Sequence, residues 1–427
     1  MISKTVLKDI LVTNEEHILH RAGRIVPRTW RPPPKGLSKT VIFYGVRRSG
    51  KTWILYDIFK NDPQRSIYLD FEDDRLTGFE AADFPLLVEC FSELKPHGAT
   101  RGGILLLDEV QHVVGWERFC RRAVEREGFR VFVSGSSSRL MPIEVHTELR
   151  GRSWSVEVLP FSFREYVDAH GVDLSDRKAA YGTGKSRLRG HAGSYVRWGG
   201  FPEVALLQSD HDRSALIREY MSAMYFRDLV EKYRISNIAL FDSLSDKLFS
   251  SASLRLSLIS FYNQYKDKVP FSKDLAYSYY KNFLQSMLVY EVRKYSESTY
   301  TRMRNPPKIY LADNGLARRV TSEDNGRLLE NAAFLELHRR GNELYYFDEG
   351  HECDFIARDS QGGLSAYQVA WELTEKNLKR EQEGLVAACQ RLNVTKGTII
   401  TFNESREYSL EGIQVSVIPV WRWWLGE

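Results

Sequence analysis

The sequence has 427 residues, and at roughly 150 residues per domain this length favours about three domains over one. Sixty Lys and Arg against 56 Asp and Glu leave a formal charge of only +4, so no global field marks nucleic acid or a membrane surface as an obligatory partner, and any basic surface is local. A hydrophobic content of 43% with ordinary glycine and proline usage excludes disordered, collagen-like and low-complexity chains.

In chain order, residues 4–20 place Leu7, Ile10, Leu11, Ile18 and Leu19 at helical spacing, and a basic, Pro-rich stretch follows that suits an extended connector ending near Lys39. Five short apolar runs then read as strands: VIFY at 41–44, SIYLDF at 66–71, GILLL at 103–107, RVFVS at 130–134 and SWSVEV at 153–158. Helical patterns separate them, which is the signature of a parallel sheet wrapped by helices. After Pro160 the chain reads as mostly helical with few strands, broken at the Gly-rich stretch GTGKSRLRGHAG and again at RWGGFPE. From about residue 314 a helix (about 327–340) leads into strands ELYYFDE, ECDFIA, SAYQVAWEL, GTIITF and IQVSVIPV, with a helix near 376–391, as in a small α/β domain. The expected division is therefore 1–38 (helix and connector), 39–160, 161–313 and 314–427. Cys90, Cys120, Cys353 and Cys389 form no C-x-x-C pair, and no stretch has the length and apolarity of a membrane span. A reducing cytoplasm without membrane partners is expected.

The chemistry is carried first by Gly45-Val46-Arg47-Arg48-Ser49-Gly50-Lys51-Thr52, which fits G-x-x-x-x-G-K-[ST] between a strand and a helix. Loop N–H groups and a helix N-terminus in this arrangement cradle phosphate oxygens. Lys51 would neutralise the β- and γ-phosphates, and Thr52 would bind Mg²⁺. In ILLLDEVQ a buried strand delivers Asp108 and Glu109 to the same edge of the sheet. Asp108 would hold the Mg²⁺ through water, while Glu109 would polarise the attacking water.

With these motifs in hand, the chain resembles the AAA+ class of ATPases, specifically prokaryotic AAA-type ATPases carrying a C-terminal restriction-endonuclease-like region. The resemblance runs through GVRRSGKT, ILLLDEVQ, VFVSGSSSRL, ELRGRSWSVEVLPFSFREY, RWGGFPE, FRDL, KIYLADNGL, LLENAAFLEL and ECDFIA, in that order. It implies an α/β fold: an AAA+ P-loop parallel sheet, then a helical lid and winged-helix module, then a small α/β nuclease-like domain. It further implies ATP as the nucleotide, Ser134 (with Ser136 beside it) as the sensor of the γ-phosphate, and Arg152 (with Arg150 as second candidate) as an arginine finger presented to a neighbouring copy. Pro202 of GGFP would lie near the adenine. Lys266, Lys268, Lys273, Lys281, Arg293 and Lys294 make the winged-helix region locally basic; it can place a helix in a DNA groove or serve as a scaffold. In the C-terminal region Asp354 and Glu330 match acids of the PD-(D/E)xK pattern, but Gln368 replaces the second acid and Ala370 the lysine, so nuclease activity is not expected. The reading is a Mg²⁺-dependent, self-associating AAA+ switch or remodelling ATPase with DNA as a candidate client. The alternative is a slowly hydrolysing, nucleotide-gated protein that recruits a protein partner.

Overall fold

Strict alternation of buried side chains explains the first sheet. Val41, Phe43, Ile104, Leu106 and Phe132 join one apolar cluster, whereas Ile42, Leu105, Leu107, Val131 and Val133 join another, because successive residues of a strand point to opposite faces. In a computed structural model, which describes residues 2–100, 102–135, 149, 151–174, 182–319 and 324–426, the chain forms two compact units, Met1–Leu159 and Pro160–Glu427.

In the first unit, β1 (Thr40–Tyr44), β2 (Ser66–Asp70), β3 (Ile104–Asp108), β4 (Arg130–Ser134) and β5 (Ser153–Glu157) are the five strands read from the sequence. They form one sheet in the order β2-β3-β4-β1-β5 with every pair parallel. β4 lies between β1 and β3, so the C-terminal ends of all three converge on one edge. Helix α1 (Lys4–Arg21) is N-capped by Ser3, whose side chain accepts from the Val6 N–H. It buries Leu7, Ile10 and Leu11 in the cluster that covers one face of the sheet; at about 1.5–3 kcal/mol for each large apolar side chain, this burial makes the helix part of the unit. Leu19, expected on the apolar face, is exposed instead, because it lies about 100° around the helix from the buried Ile18. The connector also packs: the Trp30 ring meets Phe43 edge-on at 5.1 Å, and the Trp154 indole donates to the Arg31 carbonyl at 2.9 Å. Helices α2 (Lys51–Asn61), α3 (Phe84–Leu94) and α4 (Trp116–Glu125) complete the layers.

In the second unit, the Gly-rich stretch expected as an interruption is instead helical, within Gly182–Trp198. Burial of Leu188, Ala192, Tyr195 and Val196 along one face outweighs the cost of about 1 kcal/mol for each interior glycine. GGFP breaks the helix as expected. Gly199 has φ of 81°, and a β-carbon there would lie 1.7 Å from Asp313 Oδ1. The Asp313 carboxylate accepts from the Gly200 N–H at 2.6 Å and the Gly315 N–H at 2.8 Å. GGFP and the D-x-GL of KIYLADNGL are thus two sides of one contact.

Helices Ile238–Ser250, Leu258–Tyr265 and Lys273–Gln285 alternate with the short β6 (Leu254–Arg255) and precede an antiparallel pair, β7 (Val289–Lys294) and β8 (Lys308–Leu311). These strands occupy a stretch expected to hold few. Then come helix Asn325–Arg339, β9 (Glu343–Asp348), β10 (Glu352–Arg358), β11 (Leu364–Ala370), helix Leu378–Leu392, β12 (Lys396–Thr401), β13 (Arg406–Leu410) and β14 (Ile413–Pro419). β13 went unread because it is an edge strand with no buried residue. All nine strands form one sheet, ordered β13-β14-β12-β11-β10-β9-β7-β8-β6, with β7 and β9 joined in parallel at Arg293↔Tyr345 and Lys294↔Tyr346.

Candidate active site

The loop from Gly45 to Gly50 leaves β1 and enters α2 at Lys51. Gly45 is required there: with φ of 150°, a β-carbon would stand 2.3 Å from the Val158 carbonyl oxygen. Gly50 (φ 97°) and the exposed Arg48 (φ 67°) complete the turn in left-handed conformation, an uncommon state for arginine that is seen where a tight loop is imposed. The buried Lys51 ammonium donates to the carbonyls of Gly45 and Val46 at 3.1 and 3.0 Å. Ser49 Oγ is buried without a hydrogen-bond partner among the described residues. From the connector, Arg28 donates to the Ser49 carbonyl at 2.6 Å and to that of Leu159 at 2.7 Å, so the loop is clamped from outside its own motif.

At the same edge, Asp108 is wholly buried at the end of β3. Its Oδ1 accepts from the Ser134 hydroxyl and, at 3.1 Å, from the Glu109 N–H; its Oδ2 accepts from the Tyr68 hydroxyl at 2.8 Å, and Thr52 also hydrogen-bonds to it. Burial, followed by the Glu109 charge, pushes the Asp108 carboxyl above the usual range, while the bonds from Ser134, Thr52 and Tyr68 act against this shift. Asp70, paired in register with Asp108, is pushed up to about 7 by burial and by the Asp108 charge. Glu109 stands in left-handed conformation (φ 48°), and its carboxylate accepts from the Gln111 amide. The arrangement fits a phosphate and a hard divalent cation: a tight loop opened by a glycine whose place no β-carbon could take, an orphaned serine hydroxyl, and a threonine hydroxyl touching a carboxylate.

Arg152 precedes β5, where Ser153 pairs with Thr40 at the opposite end of β1 from the loop. About 13 Å of strand therefore separates it from its own phosphate loop, and its guanidinium is paired with Glu125. Arg150 and Ser136 lie outside the described residues. Pro202 opens the short helix Pro202–Leu206 in the second unit, and Phe226 to Leu229 of FRDL fall within a π-helical stretch, Met224–Glu231.

A second cluster fills a cavity of about 590 Å³ in the C-terminal sheet. The Lys308 ammonium, from β8, donates to Asp354 Oδ1 at 2.8 Å, to Glu352 Oε1 at 2.9 Å and to Glu330 Oε1 at 3.2 Å. Gln368 accepts from the Asp354 N–H at 3.2 Å and donates to the buried Glu381. Burial, then the Asp354 charge, pushes the Glu330 carboxyl up, while the Lys308 charge and the hydrogen bonds from Tyr310 and Lys308 act against this shift and favour the carboxylate. Lys376, in the turn before helix Leu378–Leu392, and Lys379, in its first turn, are exposed, and Lys379 faces Glu383 at 3.6 Å; the amine that reaches Asp354 is Lys308.

Comparison with known proteins places this geometry. Residues 37–167 match the AAA domain, and residues 191–326 match a domain of unknown function (DUF8612). The uncharacterized protein MJ1544 of Methanocaldococcus jannaschii is 31% identical over 90% of this chain and 88% of its own length. The chain belongs to the same family as this archaeal protein. An uncharacterized protein of Haemophilus influenzae is 26% identical over 89% of this chain and 93% of its own. Among solved structures, the Walker-type ATPase PABY2304 of Pyrococcus abyssi matches with a TM-score of 0.39 at 15% identity, covering 72% of this chain and 95% of its own. The Thermotoga maritima RuvB Holliday junction branch migration motor matches with a TM-score of 0.30 at 13% identity, over 71% and 95% of the two chains. The first unit of this family member is a P-loop domain of AAA type.

Sequence reading had singled out Lys51, Thr52, Asp108, Glu109 and Ser134, and the structure brings Thr52, Asp108 and Ser134 into direct contact. It missed Arg28, Tyr68, Asp70 and Lys308. Tyr68 and Asp70 stand in a strand that reads simply as core, and Arg28 sits in a basic run with no pattern. Lys308 opens a strand, where a lysine ordinarily faces water.

Proposed function

We propose that this protein binds Mg²⁺·ATP and hydrolyses it as an AAA+ switch or remodelling ATPase. The contact of Thr52, Asp108 and Ser134 at one sheet edge, beside the loop closed by Lys51, carries the reading. The loop and Lys51 hold the phosphates; Lys51 exchanges carbonyl contacts for phosphate oxygens. Thr52 and Asp108 would hold Mg²⁺, which when bound neutralises charge on the phosphates. Tyr68 and Ser134 fix both oxygens of Asp108, and Glu109 orients the attacking water. The test is phosphate release from ATP with and without Mg²⁺, in parent protein and Glu109→Gln. We expect Mg²⁺-dependent release that falls at least about a hundredfold in the variant while nucleotide binding persists; a variant as fast as the parent removes Glu109 from the mechanism.

One observation favours the slower, nucleotide-gated alternative. The Gln111 amide engages the Glu109 carboxylate, which would hold the water-orienting group back until a partner or substrate releases it. Turnover that rises on adding DNA, rather than tight retention without turnover, separates the two.

The further readings follow the same line. Arg152 would serve the site of a second copy, since it is remote from its own loop. DNA contact would use the exposed Lys273, Tyr277 and Lys281, which recur at every fourth position of helix Lys273–Gln285; Arg293 is less available because Glu291 holds it at 2.6 Å. Salt-sensitive retention on duplex DNA, weakened in Lys273→Ala/Lys281→Ala, would support this contact, and no retention at low salt would favour a scaffold. The C-terminal domain is proposed not to cut nucleic acid.

A further inference from the structure

The C-terminal cavity places an ammonium at the meeting point of three carboxylates, and this goes beyond the ATPase reading. Glu352 and Asp354 are alternate residues of β10, and Glu330 joins them from the helix Asn325–Arg339. Like charges so close repel unless a cation stands between them. Lys308 supplies it: the ammonium is an almost wholly buried side chain, at 4% exposure, and has three N–H donors for three carboxylate partners at 2.8, 2.9 and 3.2 Å.

The surrounding contacts complete the cage. Asp354 Oδ2 accepts from the Val369 N–H at 3.0 Å. Glu330 Oε1 also accepts from the Tyr310 hydroxyl at 2.7 Å. Arg255 holds the other oxygen of Glu352 at 2.9 Å. A hard divalent cation seeks the same kind of place, several carboxylate oxygens converging on one point at about 2.0–2.6 Å. An ammonium and a metal compete for it, because their like charges would lie a few ångströms apart on the same carboxylate oxygens.

We infer that this cavity is a cation site whose resident cation is the chain's own Lys308 ammonium, and that a divalent ion enters only when the amine is removed. The lysine is anchored on β8 whereas its acids belong to β10 and the helix before β9. The same contact therefore joins the strand pair β7–β8 to the strands beyond it, a link no free ion makes permanent.

The experiment uses the full chain, free of nucleotide, with Mn²⁺ as the probe and electron paramagnetic resonance to count bound ion. Parent, Asp354→Asn, Lys308→Met, and Lys308→Met with Asp354→Asn are compared. Ion bound elsewhere, for instance near Asp108, is unchanged by Asp354→Asn and cancels. We expect the parent and Asp354→Asn to bind alike, and Lys308→Met to bind one further equivalent, at least tenfold tighter than the double variant. Circular dichroism accompanies each sample, and Lys308→Gln, which keeps a donor but no charge, serves as the second variant. A Lys308 variant that folds only when Mn²⁺ is supplied supports the inference equally. Binding to the parent that disappears in Asp354→Asn would overturn it, since lysine and metal would then coexist. Lys308 variants that gain no Asp354-dependent ion, whether folded or not, would overturn it too.

Discussion

Two buried lysines, Lys51 and Lys308, are treated in opposite ways in this chain. Lys51 donates to carbonyls of its own loop at 3.0 and 3.1 Å, whereas Lys308 is held by three carboxylates. Carbonyl contacts are neutral and are readily traded for phosphate oxygens, which bind the same ammonium with charge. Carboxylate contacts already supply that charge, and burial of Asp354 and Glu330 makes those two costly to break. Although burial pulls the Lys308 amine down, the charges of Asp354 and Glu330 outweigh it and hold the amine well above the ordinary lysine value. A lysine meant to meet a ligand is left on exchangeable partners; one meant to stay is given fixed charges.

The largest effect that would sharpen this contrast concerns whether the first site opens to a second chain. Arg152→Ala should lower turnover by roughly 10³-fold or more if Arg152 acts as an arginine finger. Mixing it with Lys51→Ala protein should restore part of the activity, because each supplies what the other lacks. Turnover that is independent of protein concentration, with no restoration on mixing, would argue for a site complete within one chain.

Next in size is stability. Lys308→Met leaves buried carboxylates without their cation and should cost about 3–5 kcal/mol in metal-free buffer, read from the denaturant midpoint of the second unit. Lys51→Met removes only contacts to backbone carbonyls and should cost about 1 kcal/mol or less. Equal losses would erase the distinction between the two lysines.

The smallest effect lies in the pH dependence of the first site. The Asp70 carboxyl, raised to about 7 chiefly by burial and by Asp108, binds a proton in the folded chain that the unfolded chain has already lost above about pH 4. Its contribution to stability is therefore fully present below about pH 4 and is lost as pH rises towards and through 7. Asp70→Asn should flatten that decline in metal-free thermal unfolding between pH 5 and 8. An unchanged decline would assign it to other groups.

The first unit was legible because β1 to β4 are buried on both faces and therefore read as apolar runs, and because the phosphate loop needs glycine where a β-carbon would strike Val158. What stayed hidden depends on partners far away in sequence. Tyr68 reaches Asp108 across 40 residues and Lys308 reaches Asp354 across 46, and neither leaves a local pattern. The Gly-rich helix Gly182–Trp198 was misread for the converse reason: local glycine signals are overridden by tertiary burial of Leu188, Ala192 and Tyr195. The single-strand β13 was invisible because an edge strand without buried side chains has no periodicity to show.

The central claim is that the loop closed by Lys51 is a nucleotide site. Calorimetric titration of Mg²⁺·ATP into the parent protein and into Lys51→Met tests it most directly. One equivalent should bind to the parent, and binding to the variant should be at least about a hundredfold weaker, a loss of about 2.7 kcal/mol. A parent that binds no nucleotide, or a variant that binds as tightly as the parent, would contradict it.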